Sequence, residues 1–156
     1  RETGRNVLIA PNFALSAVLV MAFSRLAAPF FTSVEIVETH HPKKLDAPSG
    51  TALATAQAMA AARRQAGVPA APDATTTDPQ GARGMKVEDV GIHSLRMLGA
   101  NAHQEVLLSN LGEQLRLRTD CFDRSSFMPG VLLAVRKVAA ATPLTVGLDR
   151  IMDLGI

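Results

Sequence analysis

Apolar residues in the first part of the chain form short runs that predict two strands and one helix. Residues 7–10, Val-Leu-Ile-Ala, form a continuous apolar run typical of a buried strand. Residues 13–28 are apolar on nearly all sides, which predicts a helix buried on several sides, with Asn12 as its cap and Pro29 as its end. Residues 33–39 then predict a second strand, which leads into His40.

A second helix is predicted over residues 52–66, followed by a long loop. Ser49 and Thr51 are candidate caps, because their hydroxyl groups can accept hydrogen bonds from N–H groups of the first turn. Gly67 is the expected end, since glycine readily adopts the left-handed conformation found after many helices. Residues 68–84 hold three prolines, two glycines and three consecutive threonines, so they predict a long ordered loop.

Alternation of apolar and polar residues predicts antiparallel strands in the next part of the sequence. The segments are residues 90–97, 105–109 and 114–119, and residues 110–113 fit a hairpin turn. Alternation in the last segment places a different set of side chains on each face: Leu115, Leu117 and Thr119 on one, and Arg116, Arg118 and Asp120 on the other.

Together with a final helix and strand, these elements predict an α+β fold. Ser126 can cap a helix over residues 127–141, and alternating residues in the tail, 143–156, predict one more strand. Residues 30–125 are expected to form a mixed β-sheet with helices on one face and the other face available for pairing with another subunit. This architecture requires residues 34–39 and 90–97 to lie in the same sheet.

Composition and charge narrow the classes of function. The 156 residues are 47% hydrophobic and 19% charged, as in a globular protein. Aromatic residues make up only 4% and the net charge is +2, so nucleic acid is not an expected partner. The most apolar stretch, residues 15–23, is shorter than the roughly 20 residues of a membrane span, so no membrane partner is expected. Cys121, the single cysteine, fits a reducing cytoplasm and is expected to be a buried, inert thiol.

Residues 40–52, His-His-Pro-Lys-Lys-Leu-Asp-Ala-Pro-Ser-Gly-Thr-Ala, hold the most informative chemistry of the chain. His40 and His41 are able to transfer protons near neutral pH, and Lys44 adds a compact positive charge. The turn at Ser49 opens a helix, which presents free N–H groups and the positive end of the helix dipole. The combination suits a small anionic substrate that must be protonated.

Other interpretations of these residues stay open on chemistry alone. His40 and His41 also fit hydrogen-bonded histidines of the surface or core. A zinc site is a weaker alternative, because neighbouring histidines of an extended chain point apart and no cysteine lies at ligand spacing, so no metal is expected. Residues 48–51 form a helix cap in every interpretation, and Gly50 additionally lets an anion approach the backbone closely.

The segment 40–52 resembles the signature segment of the 4-hydroxy-tetrahydrodipicolinate reductase (dihydrodipicolinate reductase) family of lysine biosynthesis. The resemblance extends over nearly the whole chain and is strongest to the actinobacterial branch. Five further segments carry it, in the order and spacing of that family: residues 8–13, 102–106, 123–127, 129–136 and 144–148.

The resemblance implies a role for each site residue. His40 is expected to donate and accept the proton, and Lys44 to be the second proton donor. The dicarboxylate substrate is expected to bind the turn formed by Ser49, Gly50 and Thr51, together with His41. Residues of a second turn are expected to lie against the nicotinamide of NADPH or NADH: Ala10, Pro11, Asn12 and Phe13. A cytoplasmic homotetramer is also implied.

The sequence departs from the family pattern at single positions and in its first segment. Pro42 and Lys43 stand where histidine or arginine is frequent, and Thr119 stands where a histidine is common. No Gly-rich dinucleotide fingerprint is present, and the chain starts with Arg rather than Met. Residues 1–29 are therefore expected to be the end of a truncated dinucleotide-binding domain, 30–125 the substrate-binding, catalytic and oligomerisation domain, and 126–156 a helix and tail that return to the nucleotide domain.

Two functions are compatible with these residues. The first is NAD(P)H-dependent reduction of 4-hydroxy-tetrahydrodipicolinate to tetrahydrodipicolinate, performed by an enzyme of which this chain is a part. The alternative is a non-catalytic truncated domain that binds a dicarboxylate or only assembles with other copies. A coding sequence for a Gly-rich fingerprint in frame before Arg1 would favour the first function over the second.

Overall fold

The first third of the chain forms two strands separated by a helix. In the computed structural model, which describes residues 5–155, β1 spans Val7–Ile9, α1 spans Leu15–Ala27 and β2 spans Ser33–His40. Residues 1–4 and 156, the outer ends of the first and last expected segments, lie outside the described residues. The two predicted strands are confirmed to within one residue.

The start of α1 differs from the prediction. Its cap position is Ala14, and Asn12 closes a turn before the helix, where its Oδ1 accepts a hydrogen bond of 2.8 Å from the N–H of Ala14. The helix is also less enclosed than expected, because Phe23 is 44% exposed. After Ala27 a short 3₁₀ turn accommodates Pro29, whose ring nitrogen has no hydrogen to donate.

The second helix, α2, spans Gly50–Gln65 and begins with a side-chain cap. The Oγ of Ser49 accepts a hydrogen bond of 3.2 Å from the N–H of Ala52. Thr51, the other candidate cap, lies inside the first turn instead. Gly67 follows the helix with a φ of +68°, as predicted. Beyond the loop, β3 spans Met85–Val87, a strand too short for its alternation to be recognised in the sequence.

Three longer strands complete the sheet. They are β4 at Val90–Arg96, β5 at Ala102–Asn110 and β6 at Glu113–Cys121. The order is β3-β4-β2-β5-β6, in which β2 and β4 are parallel and the other pairs antiparallel. The predicted mixed sheet is confirmed, because residues 34–39 and the strand at 90–97 lie in the same sheet, and β5 and β6 are longer than predicted.

The last part of the chain forms α3, Met128–Lys137, and β7, Leu144–Val146. Ser126 is not the cap: Asp123 accepts a hydrogen bond of 2.6 Å from the N–H of Ser125 and starts a 3₁₀ turn before α3. A 3₁₀ turn at Val138–Ala140 also ends the regular helix earlier than predicted. β7 pairs in parallel with β1, so the predicted strand of the tail is confirmed.

The core lies between the helices and one face of the five-stranded sheet. Side chains of β2 and β5 on this face are fully buried, including Ile36 and Leu108, and they belong to the same apolar cluster as Met59 of α2. Burial of each such side chain contributes about 1.5–3 kcal/mol. The opposite face carries partly buried and charged side chains, and no helix within residues 5–155 covers it.

Arg63 joins the end of α2 to neighbouring loops from a fully buried position. Its guanidinium donates to the carboxylate of Asp89 at 2.8 and 3.0 Å. It also donates to four backbone carbonyl groups, those of Ala28, Phe31, Thr32 and Pro69. Because the guanidinium is planar and offers five N–H groups, it can satisfy all these acceptors at once.

Candidate active site

The predicted proton-transfer residues lie where β2 ends and α2 begins. β2 delivers His40 at its last position, and the connecting segment that holds His41 and Lys44 leads directly to Ser49. His41 is exposed, whereas His40 and Lys44 are partly buried. This edge is the carboxyl end of β2 and of its parallel neighbour β4, a common position for ligand sites in proteins with parallel strands.

The buried carboxylate of Glu38 contacts the imidazole of His40. Residues 38 and 40 point to the same face of β2, and Oε2 of Glu38 lies 2.6 Å from Nδ1 of His40. Arg96, opposite His40 in β4, donates to both carboxylate oxygens of Glu38 at 2.9 Å. The N–H of Ser49 donates to Oε1 at 3.1 Å. Glu38 is completely buried. The four hydrogen bonds that its carboxylate accepts replace those that water would provide at an exposed site.

These contacts set the protonation of both groups. Burial alone would raise the pKa of Glu38, but hydrogen bonds, first of all from Arg96, outweigh it and hold that pKa below its ordinary value of 4.5. Burial lowers the pKa of His40 below its ordinary value of 6.5, and this effect exceeds the opposing attraction of Glu38. Near neutral pH the site therefore holds an ionised carboxylate beside a neutral imidazole.

Lys44 is held by Asp46 beside the same network. The Nζ of Lys44 lies 2.7 Å from Oδ1 of Asp46, and the backbone N–H of Lys44 donates to the carbonyl of His41 at 3.1 Å. The hydrogen bond from Lys44 lowers the pKa of Asp46. The carbonyl of Asp46 in turn accepts a hydrogen bond of 2.7 Å from Nη2 of Arg96. Arg96 thus contacts both Glu38 and the segment that carries Lys44.

The first turn of α2 provides the candidate anion site, and its residues differ in whether their polar groups are already hydrogen-bonded within the protein. Both the N–H and the hydroxyl of Ser49 are used inside the protein, by Glu38 and by Ala52. Gly50 and Thr51 occupy the first helical positions, where N–H groups have no intrahelical acceptor. A Cβ at Gly50 would meet nothing within 4 Å, so the space beside this backbone is open.

Only two of the four residues of the predicted cofactor turn, residues 10–13, line a common cleft. Pro11, Asn12 and Thr51 line a cleft of about 710 Å³ between α1, α2 and the tail. Nδ2 of Asn12 donates to Oγ1 of Thr51 at 3.2 Å. Ala10 and Phe13 instead pack against the apolar cluster around Leu148, and the two histidines and Lys44 do not line this cleft.

Two other expectations concern metal ions and membranes. Among residues 5–155 no group of three histidine, cysteine, aspartate or glutamate side chains is arranged to hold a metal ion. Helices in this part of the chain are also too short or too polar to cross a membrane. Cys121 is a buried free thiol, as predicted.

Comparison with known proteins decides the family. Residues 16–152 match the family described as dihydrodipicolinate reductase, C-terminus. The chain belongs to this family. It is 60% identical over 154 residues to the 4-hydroxy-tetrahydrodipicolinate reductase of Beutenbergia cavernae, a match that covers 99% of this chain and 62% of the relative. Against the reductase of Streptomyces coelicolor the identity is 56% over 151 residues, covering 97% and 60%.

The fold is also that of a solved dihydrodipicolinate reductase. A dipicolinate-bound dihydrodipicolinate reductase from Paenisporosarcina sp. TG-14 superposes with a TM-score of 0.84 at 42% identity, covering 95% of this chain and 55% of the other. The chain therefore spans about 60% of the length of the curated reductases and somewhat over half of the solved one.

Three residues in or near the family's signature segment in space were not assigned to the site by the sequence analysis: Glu38, Asp46 and Arg96. Glu38 had a readable signal, because it is two positions before His40 and alternation places both on one strand face. Asp46 had one as well, since it is two residues from Lys44. Arg96 had none in the local sequence, because its role depends on the parallel register that sets it opposite His40.

Proposed function

We propose that this chain provides the substrate-binding and proton-transfer part of an enzyme that reduces 4-hydroxy-tetrahydrodipicolinate to tetrahydrodipicolinate in lysine and diaminopimelate biosynthesis. One observation carries the proposal: an unbroken set of hydrogen bonds joins His40, through Glu38 and Arg96, to Ser49 and to the segment that holds Lys44. Two proton-transfer groups and a helix N-terminus are thereby held in one place. The named activity of the relatives supports the same assignment.

The substrate we propose is a small dicarboxylate. Lys44 supplies a positive charge and His41 supplies an exposed imidazole. The N–H groups of Gly50 and Thr51 lie at the positive end of the α2 dipole. Ser49 stabilises this turn, because its hydroxyl caps α2 and its N–H donates a hydrogen bond to Glu38. The solved relative is described as dipicolinate-bound, and dipicolinate is a planar dicarboxylate of the same class.

Proton transfer is the second task of these residues. Loss of the 4-hydroxyl group as water, with one proton added to its oxygen and one removed from C3, gives a conjugated imine. Hydride addition to this imine builds negative charge on the substrate, which a nearby ammonium group stabilises before a proton returns to C3. We propose that Lys44 provides this charge and one proton, and that His40 exchanges the other. Release of Lys44 from Asp46 is part of substrate binding, because the substrate carboxylate competes with Asp46 for the same ammonium group.

The cofactor that we propose is NADPH or NADH, which supplies the hydride when bound. Pro11 and Asn12 border a cleft that also reaches Thr51, and its volume of about 710 Å³ accommodates a nicotinamide ring. The turn of Ala10, Pro11, Asn12 and Phe13 fits this end of the cofactor. A pyrophosphate requires a Gly-rich turn at a helix start, which the 156 residues do not contain.

The remaining proposals concern organisation and assembly. β1 and β7 form a separate two-stranded sheet with its own apolar cluster, which supports residues 1–29 and 126–156 as the parts next to a nucleotide domain and 30–125 as the substrate domain. The uncovered sheet face, with partly buried Val37 and Leu107, supports assembly as a homotetramer. A biosynthetic reductase that draws on the NAD(P)H pool is proposed to act in the cytoplasm.

A hybrid enzyme tests the proposed activity. This chain replaces the matching segment of the Beutenbergia cavernae reductase, and oxidation of NADPH is followed with 4-hydroxy-tetrahydrodipicolinate. Turnover within about tenfold of the parent enzyme is the expected result, and a folded hybrid that binds NADPH without turnover would refute the proposal. Calorimetry on the chain alone adds a second check: dipicolinate is expected to bind weakly and NADPH not at all. Micromolar NADPH binding would contradict the inference that this chain lacks the site for the pyrophosphate of the cofactor.

A further inference from the structure

Strand β2 carries two glutamates with the same kinds of partner on opposite faces. Glu35 contacts His93 at 2.7 Å and Arg83 at 2.7 Å on the uncovered face. Glu38 contacts His40 at 2.6 Å and Arg96 at 2.9 Å on the helix-covered face. The two groups differ in burial, since the side chain of Glu35 is 29% exposed and that of Glu38 is not exposed at all.

From this contrast we propose that Glu38 is the positioning residue of the active site, which fixes the tautomer and orientation of His40 and couples that ring to the anion-binding turn. The inference rests on the proposed function, because it takes His40 to be a proton-transfer residue. The geometry of Glu38 stands independently of it.

The tautomer follows from the hydrogen-bond inventory of the two groups. An ionised carboxylate only accepts hydrogen bonds, so the 2.6 Å contact requires Nδ1 of His40 to carry the hydrogen. The neutral ring then has its lone pair on Nε2, which forms no hydrogen bond with another residue in the described part of the chain, 5–155. Nε2 is therefore the atom that exchanges a proton with the substrate.

The coupling follows from the four hydrogen bonds that Glu38 accepts. Its Oε1 receives the N–H of Ser49 and Nη2 of Arg96, and its Oε2 receives Nδ1 of His40 and Nη1 of Arg96. One carboxylate thus fixes the imidazole relative to the first turn of α2. Glutamine at this position has a single acceptor oxygen and presents an amide group to the remaining donors, so it cannot replace the carboxylate.

Charged groups of β2, of β4 and of the connecting segment act on His40. Glu38 of β2 raises its pKa, whereas Arg96 of β4 and Lys44 of the connecting segment lower it. On the β5 side His40 faces Ala102, which carries no charge, and Ser49, the cap of α2, is neutral. Loss of the Glu38 carboxylate is therefore expected to lower the pKa of His40 further.

The first experiment uses nuclear magnetic resonance on the wild-type chain. Nitrogen-15 chemical shifts of the His40 ring, recorded above its pKa, distinguish the two neutral tautomers. The expected result is hydrogen on Nδ1 and a lone pair on Nε2. Hydrogen on Nε2 would overturn the proposal. Because this measurement uses the wild-type chain, it does not depend on the folding of a variant.

The second experiment compares Glu38→Gln with the matched control Glu35→Gln in the hybrid reductase. Glu38→Gln is expected to lower kcat about 10-fold or more with KM changed less than about threefold, and to move the His40 titration to lower pH. Glu35→Gln is expected to keep kcat and the His40 titration, with its assembly state measured separately.

The outcomes separate the two proposals. Equal kcat in Glu38→Gln and the wild-type hybrid, or an unchanged His40 tautomer and titration in Glu38→Gln, would overturn the role of Glu38. An inactive wild-type hybrid would refute the proposed function instead, and the tautomer measurement on the chain still decides the inference. Equal losses in both variants would indicate a general effect on β2 and would also overturn the role of Glu38.

Discussion

The side-chain amide of Asn12 donates a hydrogen bond of 3.2 Å to the hydroxyl of Thr51. The bond joins the turn after β1 to the first turn of α2, two segments 39 residues apart. The same Asn12 closes its own turn through Oδ1, so its side chain is fixed at both ends. In the proposed enzyme, the residues assigned to the nicotinamide and those assigned to the dicarboxylate are therefore held at a fixed separation.

Removal of the proton-transfer groups is expected to affect turnover more than binding. His40→Gln and Lys44→Ala in the hybrid reductase should each lower kcat by about 10² or more, the usual range for acid–base groups. His41→Ala and Thr51→Val should mainly raise KM, because they remove contacts made before the reaction. Steady-state kinetics separates the two patterns, and wild-type kcat in both His40→Gln and Lys44→Ala would exclude the mechanism.

Dicarboxylate binding is expected to strengthen as the pH falls. Burial, Lys44 and Arg96 hold the pKa of free His40 below 6.5, whereas a dianion nearby raises it, so binding takes up a proton. Calorimetry with dipicolinate at pH 8 and pH 6 should give a higher affinity at pH 6. His40→Gln removes this group's contribution and should flatten the dependence. An affinity that is constant, or that rises with pH, would contradict the assignment.

Gly130 is expected to tolerate no side chain, because α3 packs directly on the cofactor turn. A Cβ at this position would lie 1.9 Å from the carbonyl oxygen of Phe13. Gly130→Ala should lower the free energy of unfolding by about 1–2 kcal/mol, since steric strain exceeds the gain in helix propensity. Gly50→Ala is the control, with open space around its Cβ, and should stay within about 0.5 kcal/mol in urea unfolding. Equal stabilities of the two variants would contradict this packing.

The two arginines that end α2 should differ sharply in their contribution to stability. Arg63→Lys keeps the charge but loses most of the donors to Asp89 and the carbonyl groups, so the free energy of unfolding should fall by about 2–4 kcal/mol. Arg64→Lys alters an exposed ion pair with Glu88 and should change it by less than about 0.5 kcal/mol. Chemical unfolding of both variants provides the measurement, and similar losses would argue against the buried network.

Local patterns predicted most of the fold. Apolar positions identified β2 and alternation identified β4. The helix containing Ala56 and Met59 was bounded to within two residues, because Ser49 and Gly67 act through short-range hydrogen bonds and backbone geometry. The predicted caps of α1 and α3 were wrong. Asn12 forms a turn before its helix, and Asp123 rather than Ser126 caps the turn before α3.

Nonlocal contacts could not be predicted in the same way. The segment 40–52 identified the candidate acid–base residues, but the state of His40 depends on Arg96, which is 58 residues from Glu38 and reaches it only through the β2–β4 pairing. β3 was missed because three residues do not define a period. Its place in the sheet comes from pairing with β4, a tertiary contact.

The pairing of β1 with β7 has a consequence for biosynthesis. Val7 lies opposite Leu144, so the two strands of this small sheet are far apart in the sequence. At about 5–20 residues per second, the ribosome delivers β7 on the order of ten seconds after β1. The five-stranded sheet between Ser33 and Cys121 is synthesised within that interval, while the apolar β1 waits without its ladder partner. β1 thus forms its ladder with β7 only after the five-stranded sheet has been synthesised, and chaperones have that interval in which to shield it.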